Sequence, residues 1–214
     1  MKHIIFSILI IVVISMMLSS CDKYEYAGCA VCYYIPTSLE ASVDYMEPKI
    51  TVRVYVKSNK PVYHVKDRNS ERREIYNKYS EYYHDTKYKI YDDEWGIGEA
   101  SCNPLSKISV SCDRDWNSAH PANTAIDDLI YAGIATLKPY IDNNYQEFNN
   151  WEHGELADFN YEKCNPFMSF FDLYIPHPSD KSGKYTLTIT VNFDNDPITG
   201  KSVSVEPVEV EVEF

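Results

Sequence analysis

The sequence predicts a mainly β protein, an antiparallel Ig-like β-sandwich with one or two short helical insertions. Apolar residues alternate with polar ones at period two in several short segments, as in strands with one buried face. Turn residues separate these segments, and only two stretches have helical spacing. The 214 residues are 44% hydrophobic and include 19 Tyr but only 7 Gly, which is a globular composition able to bury a core.

The charge balance excludes one class of partner. The chain has 20 Lys and Arg against 32 Asp and Glu, a net charge of −12, whereas a nucleic-acid partner requires a basic face. The charge is uneven, with nine basic against five acidic residues in 57–91 and seven against twenty-two in 92–214. We expect a two-sided charge distribution and no nucleic-acid binding.

The N-terminus has the pattern of an export signal. Met1-Lys2-His3 is followed by an apolar run, Ile4–Leu18, which is shorter than the roughly 20 residues of a spanning helix. Leu18-Ser19-Ser20-Cys21 is similar to a bacterial lipobox, so we predict a lipoprotein signal peptide over 1–20 and a lipidated Cys21. The alternative is a signal cleaved nearby with Cys21 as a plain thiol.

The same pattern predicts the domain organisation and the location. We expect a tether over 21–45 and one β-sandwich domain over 46–214, held to a membrane by acyl chains on Cys21. Asp22-Lys23-Tyr24-Glu25 is similar to the export signals of Bacteroidota surface lipoproteins. The cell envelope is therefore predicted, with the outer membrane and an outward orientation favoured.

The strands are predicted from alternation. Ile50, Val52, Val54 and Val56 share one face of a half-buried strand, and Ile108–Cys112 alternates in the same way. Val62–Val65 and Tyr88–Tyr91 are weaker candidates.

The C-terminal sequence predicts a β-hairpin. Apolar residues alternate over 185–193, Asp194–Gly200 turns the chain, and valines alternate on the return. The apolar parity changes between Val205 and Val208, so we expect a β-bulge at Glu206-Pro207.

Two segments have helical spacing. Ser70–Tyr83 carries an aromatic stripe on a charged stretch, which is consistent with a helix or with a polar loop. Thr124 and Asp127 form a capping-box pattern before Ile126, Leu129 and Ile130, with Gly133 as the stop. We expect a second helix of about nine residues there.

Five cysteines remain beyond Cys21, and export predicts an oxidising compartment with two disulfides. Cys102 and Cys112 are the first candidate pair, and Cys164 would then pair with Cys29 or Cys32. The alternative, a redox dithiol at Cys29 and Cys32, is disfavoured because Tyr33-Tyr34-Ile35-Pro36 follows in place of a helix.

Two segments are candidate ligand sites. The Tyr-rich basic segment offers rings that can stack on sugars or partner side chains, from Tyr76, Tyr79, Tyr82 and Tyr83, although packing explains the same pattern. A polar loop holds Asp113, Asp115 and His120, which can bind a cation or a hydroxylated ligand or can simply hold turn backbone. No cofactor or metal is predicted.

Several segments together resemble an uncharacterised family of Bacteroidota lipoproteins. They are the lipobox, a strand leading into His120-Pro121-Ala122 and Asp127-Asp128, and the hairpin beginning at Gly183-Lys184-Tyr185. Asn123 stands where that family often has Gly. The resemblance implies a sandwich on the cell envelope and carries no known activity.

The sequence therefore predicts a non-catalytic binding module that contacts a glycan, a peptide or an envelope protein. Hydrolase motifs such as Gly-x-Ser-x-Gly and His-Glu-x-x-His do not occur. The alternative is a hydrolase that acts on polysaccharide with paired carboxylates drawn from 142–162. Asp172 lies in an apolar strand, where we expect it to face outward.

Overall fold

The computed structural model describes residues 29–46, 49–60, 62–87, 98–178 and 182–214. These residues form eleven strands and two α-helices. The strands are β1 (Cys32–Tyr34), β2 (Ser38–Met46), β3 (Lys49–Lys57), β4 (Tyr63–His64), β5 (Glu99–Ser101), β6 (Leu105–Cys112), β7 (Tyr131–Thr136), β8 (Trp151–Glu155), β9 (Phe167–Ile175), β10 (Lys184–Phe193) and β11 (Val208–Glu213). The helices are α1 (Ser70–Tyr82) and α2 (Lys138–Asp142).

Two antiparallel sheets form the sandwich. One has five strands in the order β2-β3-β9-β7-β8, and the other has three in the order β11-β10-β6. The predicted mainly β class, with antiparallel sheets and short helical insertions, is confirmed.

The main core lies between these sheets. The alternation predicted for β3 is confirmed, because Val52 and Val54 are fully buried while Thr51 and Arg53 lie on the other face. The alternations of β6 and β10 are confirmed in the same way, and their apolar faces close the core from the opposite side. Burial of these faces is the main driving force for the sandwich.

A third small sheet and α1 enclose a second core. The sheet has the order β4-β1-β5, and its β1–β5 pair is parallel. We call the group of Tyr33, Tyr76, Tyr79 and Tyr83 the tyrosine lobe. Its rings pack together, with the Tyr33 ring centroid 5.3–5.8 Å from the other three.

Residues 29–45 are not a tether. Strand β1 is buried along its whole length, and β2 pairs with β3 over nine residues. The inward residues Leu39, Ala41 and Val43 pack against the main core, so this stretch is part of the fold.

The helix over Ser70–Tyr82 is confirmed, and it begins at a favourable cap. The Asn69 side chain accepts a hydrogen bond of 3.1 Å from the Arg72 backbone N–H. Glu74 and Lys78 form an i, i+4 ion pair at 2.7 Å.

The helix predicted from Thr124 is wrong. Only a 3-10 turn, Asp127–Leu129, forms, and Gly133 lies inside β7. The Asp127 carboxylate accepts hydrogen bonds from the Ser109 hydroxyl and, at 2.7 Å, from the Val110 backbone N–H. Because that carboxylate binds β6, it does not cap a helix.

The predicted disulfides are also wrong, since Cys29, Cys32, Cys102, Cys112 and Cys164 are all free and buried. Strand β6 lies between Cys102 and Cys112, and its eight extended residues place its ends about 23 Å apart. Burial raises the pKa of Cys32, Cys102 and Cys164 to about 12. These thiols therefore act as small apolar core residues.

The C-terminal hairpin is confirmed in β10 and β11, but its return strand is shorter than predicted. Pairing begins at Val208, and residues 201–207 are outside any strand, so the expected bulge at Glu206-Pro207 is replaced by an unpaired segment. Asp196 holds the turn by accepting hydrogen bonds from the Ile198 and Thr199 backbone N–H groups.

Candidate functional site

The outer face of the five-stranded sheet carries a continuous group of six aromatic side chains. We call this group the aromatic face, and it consists of Tyr55, Tyr131, Trp151, His153, Phe170 and Tyr174. They come from four strands, each at a position whose neighbours along the strand point into the protein. All six are half-buried or exposed, and Tyr131 is 44% exposed.

The six rings contact one another in an unbroken series. Centroid distances are 6.3 Å for Tyr55–Phe170, 5.2 Å for Phe170–Trp151 and 5.8 Å for Trp151–His153. The series continues at 6.3 Å for His153–Tyr131 and 6.1 Å for Tyr131–Tyr174. Trp151 and Tyr131 lie within 12° and 9° of the His153 ring plane, so three neighbouring rings are nearly parallel.

Gly133 creates the space for this arrangement. It pairs with His153 across β7 and β8. A Cβ atom added at Gly133 would lie 2.9 Å from the His153 ring and 3.4 Å from Trp151. Both rings therefore lie over the glycine, and any larger residue would displace His153.

A buried ion pair lies among these rings. Asp172 receives two parallel hydrogen bonds of 2.7 Å from the Nε and an Nη atom of Arg53. Asp172 is on the outer face as predicted, yet it is only 5% exposed because Arg53 and the rings cover it. The Arg53 guanidinium also lies 5.5 Å from the centre of the Phe170 ring.

The electrostatics keep this pair charged. The hydrogen bond to Asp172 raises the pKa of Arg53, and this effect exceeds the opposing effect of burial. Burial is the main cause of a raised pKa at Tyr174, so its phenol stays neutral at physiological pH. The face therefore offers neutral rings around one compensated pair of charges.

The tyrosines predicted from α1 as a ligand surface are core residues instead. Tyr76, Tyr79 and Tyr83 are buried, and only Tyr82 is exposed, at 49%. The Tyr76 hydroxyl donates to the Ala30 carbonyl at 2.6 Å, and the Tyr79 hydroxyl donates to Asp196 at 2.6 Å. The Tyr83 hydroxyl donates to the Ser101 carbonyl at 3.1 Å.

The polar side chains of the loop around His120 already have hydrogen-bond partners within the protein. Asp113 accepts a 2.8 Å hydrogen bond from the Thr186 N–H, and Asp115 accepts one of 2.9 Å from the Ala122 N–H. The His120 ring lies between Asn117 Oδ1 and the Asp128 carboxylate, each 2.9 Å from a ring nitrogen. The turn-holding interpretation accounts for Asp115, whereas Asp113 binds the backbone of β10 and the His120 ring contacts two side chains.

Two shallow hollows adjoin the exposed His84, with volumes of about 340 and 360 Å³. The first is lined by residues that include Tyr82, Lys138 and Glu162, and the second by residues that include Asp142 and Tyr145. The carboxylates considered for a hydrolase are spread over α2, the following loop, β8 and two 3-10 turns.

The aromatic face was missed by sequence reasoning, although its signal is present. Trp151 and His153 alternate with acidic or small residues, and Phe170, Asp172 and Tyr174 alternate with apolar ones. When every second residue of a strand is aromatic or polar, those residues indicate an outward face rich in rings. The sequence does not show how β8, β7, β9 and β3 align with one another, because that register is set only in the folded protein.

Across the described parts of the chain, no three His, Cys, Asp or Glu side chains are grouped so that they could hold a metal ion. Within the same residues, neither helix has the length and apolarity required to cross a membrane. No protein-family model, no curated protein and no solved structure matches this chain.

Proposed function

We propose that this protein is a non-catalytic binding module of the cell envelope that holds its ligand on the aromatic face. The observation that carries this proposal is the series of six contacting, partly exposed rings around the Arg53–Asp172 pair on one sheet face. Aromatic rings and Arg are the side chains most enriched at binding hot spots, because they combine large apolar area with polar contacts.

The envelope location is supported by the sequence of the leader. The run Ile4–Leu18 and the lipobox ending in Cys21 lie outside the described residues and are retained as part of the proposal. Lipid on Cys21 would hold the domain at the membrane surface.

The folded scaffold suits a binding role. The aromatic face lies on strands that are hydrogen-bonded within one sheet, so its side chains are held in fixed relative positions. A preorganised surface loses less conformational entropy on binding than a mobile loop does. Binding should therefore need no rearrangement of the five-stranded sheet.

The test compares face variants with a matched control. The purified full-length protein in mild detergent is screened by thermal unfolding against neutral oligosaccharides, acidic oligosaccharides, and basic and acidic peptides. A ligand at 100 times its Kd stabilises by about 2.7 kcal/mol and raises Tm by a few degrees.

The ligand that raises Tm is then titrated against Trp151→Ala, His153→Ala and the control Tyr82→Ala, which removes an exposed ring outside the face. We expect weaker binding in the first two variants and unchanged binding in the control. Equal affinity in all three would place the binding surface elsewhere and reject the proposal.

A further inference from the structure

The central strands beneath the aromatic face offer side chains and not backbone to a ligand. Strands β3, β9 and β7 each have hydrogen-bonded neighbours on both sides. Their N–H and C=O groups are paired within the sheet, and among the strands of the face only β8 lies at an end of the sheet order. A ligand lying over the three central strands is therefore held by rings and by Arg53.

The near-parallel rings are suited to flat apolar partners. Trp151 and Tyr131 each stack with His153, with centroids 5.8 and 6.3 Å apart and ring planes inclined by 12° and 9°. A ring face attracts weakly polarised C–H groups because its π-system carries negative charge. A pyranose ring presents such a C–H face, so a sugar can pack against the rings of this series.

The ion pair supplies the polar contacts that hydroxyl groups require. The guanidinium of Arg53 carries five N–H groups, of which Asp172 takes two. Asp172 is buried and holds the guanidinium in place, whereas Arg53 is 42% exposed and can donate to a sugar hydroxyl. The pair also lies in the same cross-strand row as Gly133 and His153, so it is continuous with the ring series.

The charge of the face argues against an acidic ligand. Arg53 and Asp172 cancel each other, and Lys57 is paired with Glu40 at 3.3 Å. Asp44 and Glu155 add negative charge at the margins, and the whole chain carries −12. An anionic polysaccharide would be repelled by this field, whereas a neutral one would not.

We infer that the aromatic face binds a neutral glycan, with sugar rings packed against the series Trp151, His153 and Tyr131 and hydroxyls hydrogen-bonded to the Arg53 guanidinium that Asp172 holds in place. This inference rests on the proposed function, because it names the ligand class of the same face.

The experiment is calorimetric titration of the purified full-length protein in detergent. The probes are gluco-, manno- and xylo-oligosaccharides of four to six units, oligogalacturonate as the acidic counterpart, and a lysine-rich peptide. The variants are Trp151→Ala, His153→Ala and Gly133→Ala, with Tyr82→Ala as the matched control. Gly133→Ala deletes no ring, but it displaces His153 from its place over the glycine.

We expect a neutral oligosaccharide to bind, and the Trp151→Ala and His153→Ala variants to bind it about five- to tenfold more weakly. Gly133→Ala should weaken binding to a smaller extent, and Tyr82→Ala should bind as the wild type does. Affinity should rise with oligosaccharide length until the ring series is covered.

Three results would overturn the inference. If only oligogalacturonate or the peptide binds, and Trp151→Ala weakens that binding, the ligand class is wrong while the proposed function stands. If none of the neutral oligosaccharides binds, the inference also fails. If a probe binds equally to all variants, the inference and the proposed function fail together.

Discussion

The tyrosine lobe and the aromatic face are both built from clustered rings, yet they differ in what their polar atoms do. In the lobe, three hydroxyls donate to interior acceptors: the Ala30 carbonyl, the Asp196 carboxylate and the Ser101 carbonyl. On the face, the rings contact each other on the outer side of the five-stranded sheet around a separate ion pair, and Trp151 and Phe170 also pack against the second core. Three of the four lobe tyrosines are core residues whose hydroxyls find buried acceptors, and the fourth, Tyr33, is buried with a hydroxyl that has no hydrogen-bond partner among the described residues. The rings of the face are binding candidates because they stay on the outside of a sheet.

The charged side chains of the two regions show the same contrast. Asp85, beside the tyrosine lobe, is fully buried and accepts hydrogen bonds from the Cys29 and Ala30 N–H groups, at 2.6 and 2.9 Å, and from the Tyr145 hydroxyl at 3.0 Å. These hydrogen bonds connect residues 29 and 30 to the segment that follows α1. Asp172 on the face instead holds a side chain that reaches solvent, because Arg53 is 42% exposed.

The strongest test of this contrast is Tyr79→Ala. The Tyr79 ring is fully buried, so its removal should leave a cavity and take one hydrogen bond from Asp196, with a loss of about 4 kcal/mol in the free energy of unfolding. Tyr82→Ala, on the same helix, should change the free energy of unfolding by less than about 0.5 kcal/mol. Urea denaturation measures this free energy for each variant, and similar losses in the two variants would mean that the tyrosine lobe is not a core.

Asp85→Ala should have the next largest effect. It leaves two backbone N–H groups without their carboxylate acceptor in a buried site, which should cost about 3 kcal/mol of stability. Asp115→Ala is the control, because that exposed carboxylate accepts one backbone hydrogen bond and should contribute about 1 kcal/mol. Denaturation curves that coincide for the two variants would contradict a fastening role for Asp85.

Arg53→Ala tests the stability of the aromatic face itself. It leaves Asp172 without its partner, but the exposure of Arg53 reduces the loss through solvent screening, and we expect about 2 kcal/mol. The double variant Arg53→Ala/Asp172→Ala should recover part of that loss, because no unpaired carboxylate remains. A double variant less stable than Arg53→Ala would show that the pair is not coupled in this way.

The smallest effect concerns acid stability through Asp196. Burial alone raises the pKa of this carboxyl, but hydrogen bonds from Tyr79, Thr199 and Ile198 outweigh that effect and lower it below its ordinary value of 3.8. The unfolded chain then binds the proton more tightly, so this stabilisation is complete above about pH 5 and is lost as the pH falls through the lowered pKa.

Chemical denaturation of the wild type and of Asp196→Asn between about pH 6 and pH 2 measures the effect. The wild type should lose stability on acidification more steeply than the variant over that interval, because only the wild type has the lowered carboxyl pKa. If stability falls with pH equally in the wild type and the variant, ionisation of Asp196 does not contribute to stability through its contact with Tyr79.

The strands with one buried face were predictable. In β3, β6 and β10 the apolar residues recur at period two because one side of each strand faces the same core. The aromatic stripe of α1 was visible at helical spacing, but it fitted a polar loop equally well, and the structure decided for the helix. Strand β1 was missed because all three of its residues are buried, so it shows no alternation.

The failed predictions share one physical cause: in the folded protein each of these side chains has a different environment from the one that its local sequence suggests. Asp127 fits a helix cap by sequence, but β6 lies close enough to bind its carboxylate first. Cys102 and Cys112 fit a short loop by spacing, but the residues between them are extended. Each local pattern was satisfied in another way once the chain was folded.

The sequence by itself determined the mainly β class and the alternating faces of the long strands, because these depend on neighbours along the chain. Only the tertiary structure decided that Ser70–Tyr82 is a helix, and only it decided which aromatic residues are buried and which form a surface. That choice depends on cross-strand register, which places Trp151 and His153 over Gly133, and on distant acceptors, which draw Tyr76 and Tyr79 inward. Contacts between residues that are far apart in the sequence carry no signature in local periodicity, so the aromatic face emerges only when the strands are assembled.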